Sequence, residues 1–221
     1  MKSTPRFIRF ILALFVLVTA CAMSGYVLAD TEDGIHSYSI GEFEKAEAIF
    51  DDILKGDPDN VQTGYYMGLT LLMQEKYEKA LGVFQNLKES IDKKKVMKND
   101  SIPTKGQIEV GIVRAYLGLK KYPEALESIN AAEKTKADPI DIHTYKGAYY
   151  LEINENSKAD EELKKALDLN SKNPYTYYYA GIATLRMGNA AKAVKLLEIF
   201  LNLAPYAPEA EHTKYLVDTL C

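Results

Sequence analysis

The sequence predicts an all-α protein built as a linear array of about five helical repeats, closed at its carboxyl end by a capping helix. Two observations carry this: small and large apolar residues return at a fixed interval, and Gly and Pro punctuate the joins. The stretch GEFEKAEAIF at Gly41 returns in altered form as KYEKALGVF at Lys76. Anchored on its alanine, the series runs Ala46, Ala80, Ala125, Ala159 and Ala193, with spacings of 34, 45, 34 and 34 residues. The 45 is one 34-residue unit plus an insertion of eleven. Twelve residues before each alanine stand Gly34, Gly68, Val113, Gly147 and Gly181, and four after it Phe50, Phe84, Ile129, Leu163 and Leu197. Three positions further on come Ile53, Leu87, Ala132, Ala166 and Phe200. Self-similarity at such a period marks a stacked-repeat architecture.

These columns resemble the tetratricopeptide repeat (TPR), and the resemblance covers Asp30 to about Pro205. It implies that each unit is two antiparallel helices, with Gly or Ala in the first and Ala, then a large apolar residue, in the second. Small residues at Gly68 or Ala80 let two helix backbones approach closely, while Phe84 and Leu87 fill the space beside them. A single pair cannot bury its apolar faces, so stacking produces one continuous core with irregular terminal copies.

Taken in order, the chain begins MKSTPRFIRFILALFVLVTACAMSGYVLAD, a basic opening followed by an apolar run. That is the build of an export signal over residues 1–29. Cleavage after Ala29, lipidation of Cys21 in a lipobox-like LVTAC, and retention as an uncleaved anchor all fit the pattern. Each places Asp30 onward outside the cytoplasm, most simply in a periplasm, and leaves the membrane to an N-terminal lipid or anchor alone. The first helix, Thr31 to Ile40, puts Asp33 and Ser37 where later copies have Met67 and Leu71, so the first repeat should be the least stable. Gly41 and Gly188 lie in turns between paired helices, while GDPDN at Gly56 and LAPYAP at Leu203 supply helix stops. The insertion, near residues 91–104, carries Lys93, Lys94, Lys95 and Lys98 and reads as a solvated helix extension and loop, or as a basic contact. Residues 206–221 hold the capping helix, Pro208 to Leu220, with Ala210, Leu216, Val217 and Leu220 covering the fifth repeat.

Composition and motifs argue against chemistry. Without residues 1–29 the chain has 24 Lys plus Arg against 31 Asp plus Glu, a net charge of −7, which disfavours nucleic acid. His36, His143 and His212 fall in different helices and form no zinc-binding pair, and no phosphate-binding glycine loop or serine elbow is present. No metal, cofactor or catalytic residue is expected, and the chain does not read as an enzyme.

The resemblance implies that the first helix of each pair lines a concave peptide groove. Its candidate lining is Ile35, Tyr38, Tyr65, Leu69, Leu72, Val110, Arg114, Leu117, Thr144, Ala148, Leu151, Tyr175, Tyr178, Ile182 and Leu185. Chaperone-binding relatives grip a terminal carboxylate with Lys and Asn at groove columns that here hold Tyr65, Leu69, Val110 and Ala148; Arg114 is the lone basic residue. The expected function is an exported scaffold that binds a segment of a partner protein by apolar contact. The alternative is a chaperone-like holder of unfolded or lipidated clients.

Overall fold

The computed structural model describes residues 31–93 and 103–220; the export signal with Cys21, the lysines beyond Lys93 in the insertion, and Cys221 lie outside the described residues. Eleven helices follow one another, with no strand among the described residues. They are α1 (31–39), α2 (Phe43–Gly56), α3 (Val61–Met73), α4 (Tyr77–Lys93), α5 (Lys105–Gly118), α6 (Tyr122–Lys134), α7 (Pro139–Glu152), α8 (Asn156–Asp168), α9 (Pro174–Arg186), α10 (Ala190–Leu203) and α11 (Ala210–Leu220). Odd and even helices pair into five repeats, each helix from α2 onward packs on the next, and α3, α5, α7 and α9 also touch in sequence along one side.

The packing explains the repeated columns. Ala46, Ala80, Ala125, Ala159 and Ala193 are all fully buried, at 0% exposure. A Cβ at Gly34, Gly68, Gly147 or Gly181 would meet Phe50, Phe84, Leu163 or Leu197 of the paired helix at 2.4 to 2.6 Å. The missing side chain is therefore the seat of the large residue opposite. In the third repeat Val113 replaces glycine, and both it and Ile129 are buried in one cluster.

Helix ends are set by local chemistry. Asn60, Asp138, Asn173 and Asn189 accept backbone N–H bonds at the starts of α3, α7, α9 and α10, and Thr104 with Gln107 closes a reciprocal capping box on α5. The turn inside every repeat holds one residue at positive φ: Gly41 (81°), Glu75 (56°), Lys120 (57°), Asn154 (61°) and Gly188 (86°). The turn thus repeats with the same period as the core even where glycine has been replaced.

Between repeats, polar clasps alternate with apolar contact. Thr31 meets Thr63 at 3.3 Å and Thr144 meets Thr176 at 2.6 Å, hydroxyl to hydroxyl, both buried. At the intervening junctions the same columns hold Tyr65 with Ile108 and Val110 with Ile142. Ser37, smaller than its later counterparts, is buried, whereas Asp33 faces water. The insertion lengthens α4 to 17 residues, and its end is tied by Lys105 Nζ to Asp92 at 2.7 Å. The cap α11 starts two residues later than expected and covers the fifth repeat through Ala210, Thr213 and Val217; Leu216 and Leu220 are only half-buried.

The superhelix is tight enough for its ends to meet. The Tyr206 ring, in the turn after α10, occupies the space a Cβ on Gly41 would need, 2.6 Å from its Cγ. Across the middle, the Tyr175 hydroxyl of α9 lies 3.8 Å from Met73 Sδ of α3.

Candidate functional site

The odd helices bring their concave faces around a cavity of about 400 Å³. Tyr38 and Ser39 come from the end of α1, Tyr65, Leu69 and Met73 from α3, Val110 and Arg114 from α5, Asp141 and Tyr145 from α7, and Tyr175 from α9. Phe43 of α2 and the 203–207 turn complete the wall. The i, i+4 and i+8 spacing of Tyr65, Leu69 and Met73 places all three on one helix face.

The candidate groove residues separate into four groups. Tyr38, Tyr65, Leu69, Val110, Arg114 and Tyr175 line the cavity. Arg114, Leu117, Ala148 and Tyr178 border a second, smaller hollow of about 220 Å³ beside Glu209. Leu72, Thr144 and Leu151 are 4%, 0% and 3% exposed and belong to the core, so they are corrected from groove to packing residues. Leu117, Ala148 and Tyr175 are also at least nine-tenths buried, touching the hollows only at their edges. Ile182 is half-buried against the Leu151 and Ala180 cluster, Ile35 and Leu185 are half-buried, and Tyr178 leans on Phe200 with ring centres 5.0 Å apart. The physical reason is cover by neighbouring helices: Leu72 joins a cluster of α3, α4 and α5, Thr144 meets Thr176 of the next repeat at 2.6 Å, and Leu151 packs with Ala180 and Ala183 of α9.

Arg114 stands in the middle. Its guanidinium carbon lies 4.9 Å from the centre of the Tyr175 ring, a cation–π distance. Among the described residues it donates no hydrogen bond and forms no ion pair. Two acids face the same region without pairing with it. Asp141 accepts from Asn173 at 2.8 Å, and Glu209 lies 3.3 Å from the Tyr175 hydroxyl. Burial raises both carboxyls above their ordinary range despite the opposing pull of Arg114. Burial likewise raises the phenols, Tyr145 to about 12 and Tyr38, Tyr65 and Tyr175 in the same direction, so all stay protonated donors at neutral pH.

The sign of the Glu209 shift makes a prediction. A carboxyl whose folded pKa is raised stabilises the fold at acid pH and loses that contribution as pH rises through the folded value. Glu209→Gln keeps an acceptor for Tyr175 and removes the charge. Its melting midpoint at pH 7 should exceed the wild type's, and the gain should shrink toward pH 4; a lower midpoint at pH 7 would mean that Arg114 depends on this acid.

Sequence reading missed Phe43, Met73, Asp141, Tyr145, Glu209 and Tyr206. Asp141 and Tyr145 lie in α7 three residues before and one after Thr144, and their column offers no repeated signal. His143 is half-buried and bonded through Nδ1 to Glu162 at 2.7 Å. Among the described residues no three His, Cys, Asp or Glu are placed to hold a metal ion.

Comparison with solved structures agrees with this geometry. A thermophilic TPR protein from Thermus thermophilus superposes with a TM-score of 0.67 at 20% identity, over 88% of this chain and 98% of the other. A tetratricopeptide repeat protein from Parabacteroides merdae gives 0.69 at 16% identity, over 97% and 80%. The chain has the TPR fold. MamA from Desulfovibrio magneticus is more distant, with a TM-score of 0.53 at 16% identity over 81% of this chain and 95% of that one. No family model matches the sequence, and no curated protein matches it. At these identities the likeness speaks for the TPR architecture alone.

Proposed function

We propose that this TPR chain is an exported protein-binding scaffold without chemistry of its own, holding a segment of a partner in its concave cavity. The observation that supports this is the cavity itself: tyrosines, aliphatic residues and Met73 from five odd helices converge on one space. Tyrosine-rich, partly desolvated pockets are where binding energy concentrates at interfaces. Export rests on the signal-like residues 1–29, and the working compartment is the periplasm, with the chain free or tethered through Cys21. Its net negative charge speaks against nucleic acid as the partner.

The sharpest probe is Tyr206, which lines the cavity yet is 55% exposed, so its truncation spares the core. In crosslinked capture from the native envelope, the mature chain should retain one stoichiometric partner, and Tyr206→Ala should weaken capture about 10-fold or more with helicity unchanged. A broad set of unrelated clients, released by any apolar peptide, would support the holder reading instead. Undiminished capture by the variant would remove the cavity from the interface.

A further inference from the structure

A second cleft lies on a different part of the molecule, between α4, α5 and α6, with a volume of about 550 Å³ and no residue in common with the concave cavity. At its floor is Glu109, 1% exposed. Lys88 Nζ approaches its Oε1 at 2.8 Å, while Oε2 is buried without a hydrogen-bond partner among the described residues. A carboxylate oxygen taken from water and left unmatched costs free energy, so this acceptor requires an explanation.

The repeat supplies one by comparison. Glu109 stands four residues before Val113, where His143 stands four before Gly147. In the fourth repeat the facing residue on the second helix is Glu162, and His143 bonds to it. In the third the facing residue is Ser128, which carries no charge and makes no side-chain hydrogen bond among the described residues. The rim adds Glu89, Asp92, Glu124 and Glu127, so among the described residues five carboxylates line the cleft with Lys88 as the single lining cation. Lys93 and Lys105 pair with Glu89 and Asp92, but Glu124 and Glu127 form no ion pair among the described residues.

We infer that this cleft is a binding site for an organic cation, the guanidinium of an arginine side chain presented by a partner polypeptide. The Glu109 carboxylate, closed to solvent beneath the cleft, adds negative charge from below, while Ser128 and the exposed Glu124 and Glu127 offer oxygens to a planar fork of N–H donors from the open side. Tyr116, held at 3.3 Å by Gln85, supplies a ring at the edge of the cleft.

The test is a titration of the folded mature chain with the capped tripeptide acetyl-Gly-Arg-Gly-amide, followed by amide chemical shifts. The shifts should saturate and centre on α4, α5 and α6. The isosteric citrulline peptide should produce none. Glu124→Gln with Glu127→Gln, two exposed positions, should weaken the apparent Kd ~10-fold, since rim charges steer and retain a cation. Glu109→Gln should abolish saturation at an unchanged melting midpoint; if that variant does not fold, the rim variant decides. Equal shifts with citrulline, shifts centred elsewhere, an unaltered Kd in the rim variant, or tighter occupancy of the same residues by calcium would each overturn the assignment.

Discussion

Phe84→Ala is expected to lower stability by about 3–5 kcal/mol, the usual cost of truncating a fully enclosed phenylalanine. The ring is 0% exposed and seats against two glycines at once: a Cβ on Gly68 of α3 or on Gly111 of α5 would each meet it at 2.6 Å. It also stands edge-on to Tyr65, with ring centres 6.1 Å apart. One side chain therefore joins the second repeat to the third as well as the two helices of its own pair. Denaturant titration followed by far-ultraviolet circular dichroism checks this, and the unfolding should lose cooperativity as α1 to α4 uncouple from the rest. A loss under about 1 kcal/mol would mean that neighbouring residues refill the space.

Two glycines that share a backbone conformation should respond differently to the same change. Gly41 and Gly188 have φ of 81° and 86°, so alanine at either costs about 1–2 kcal/mol in left-handed strain. At Gly188 nothing among the described residues lies within 4 Å of the new methyl group. At Gly41 the methyl group meets the Tyr206 ring at 2.6 to 2.9 Å, involving the fixed end of that side chain as well as its ring. Gly41→Ala should therefore lower the melting midpoint clearly more than Gly188→Ala, and Tyr206→Ala should erase the difference. Equal losses in the two single variants would show that the ends of the superhelix do not touch in solution.

The parts of the fold legible in the sequence are those where packing dictates residue size. Ala46 to Ala193 can be read off because two helix backbones approach there and nothing larger fits, and Gly34, Gly68, Gly147 and Gly181 because a large side chain sits on each. The positive-φ turn was visible only at Gly41 and Gly188; Glu75, Lys120 and Asn154 hold the same conformation, and counting 34 residues on from Gly41 finds the first of them. The cavity was half legible. Helical spacing gives the inward face of each odd helix, but whether that face meets a partner or the chain itself depends on the summed rotation of five repeats. No local pattern encodes that sum; at Leu72, Thr144 and Leu151 the neighbouring helices already cover the face, so these read as groove and pack as core. Glu109 was passed over for the opposite reason: a lone glutamate in a helix ordinarily faces water, and its burial follows from Lys88 and Ser128 on two other helices.

The contact between Tyr206 and Gly41 also bears on how such a protein can change over time. An open solenoid lengthens by duplicating a unit, because each added copy meets only the copy before it. Here one more unit between α10 and the final turn would carry Tyr206 past its place over Gly41, and one inserted between α3 and α9 would also part Tyr175 from Met73. Adding a copy therefore costs this closing contact, whereas the eleven-residue insertion between α4 and α5 lengthens the chain without adding a repeat.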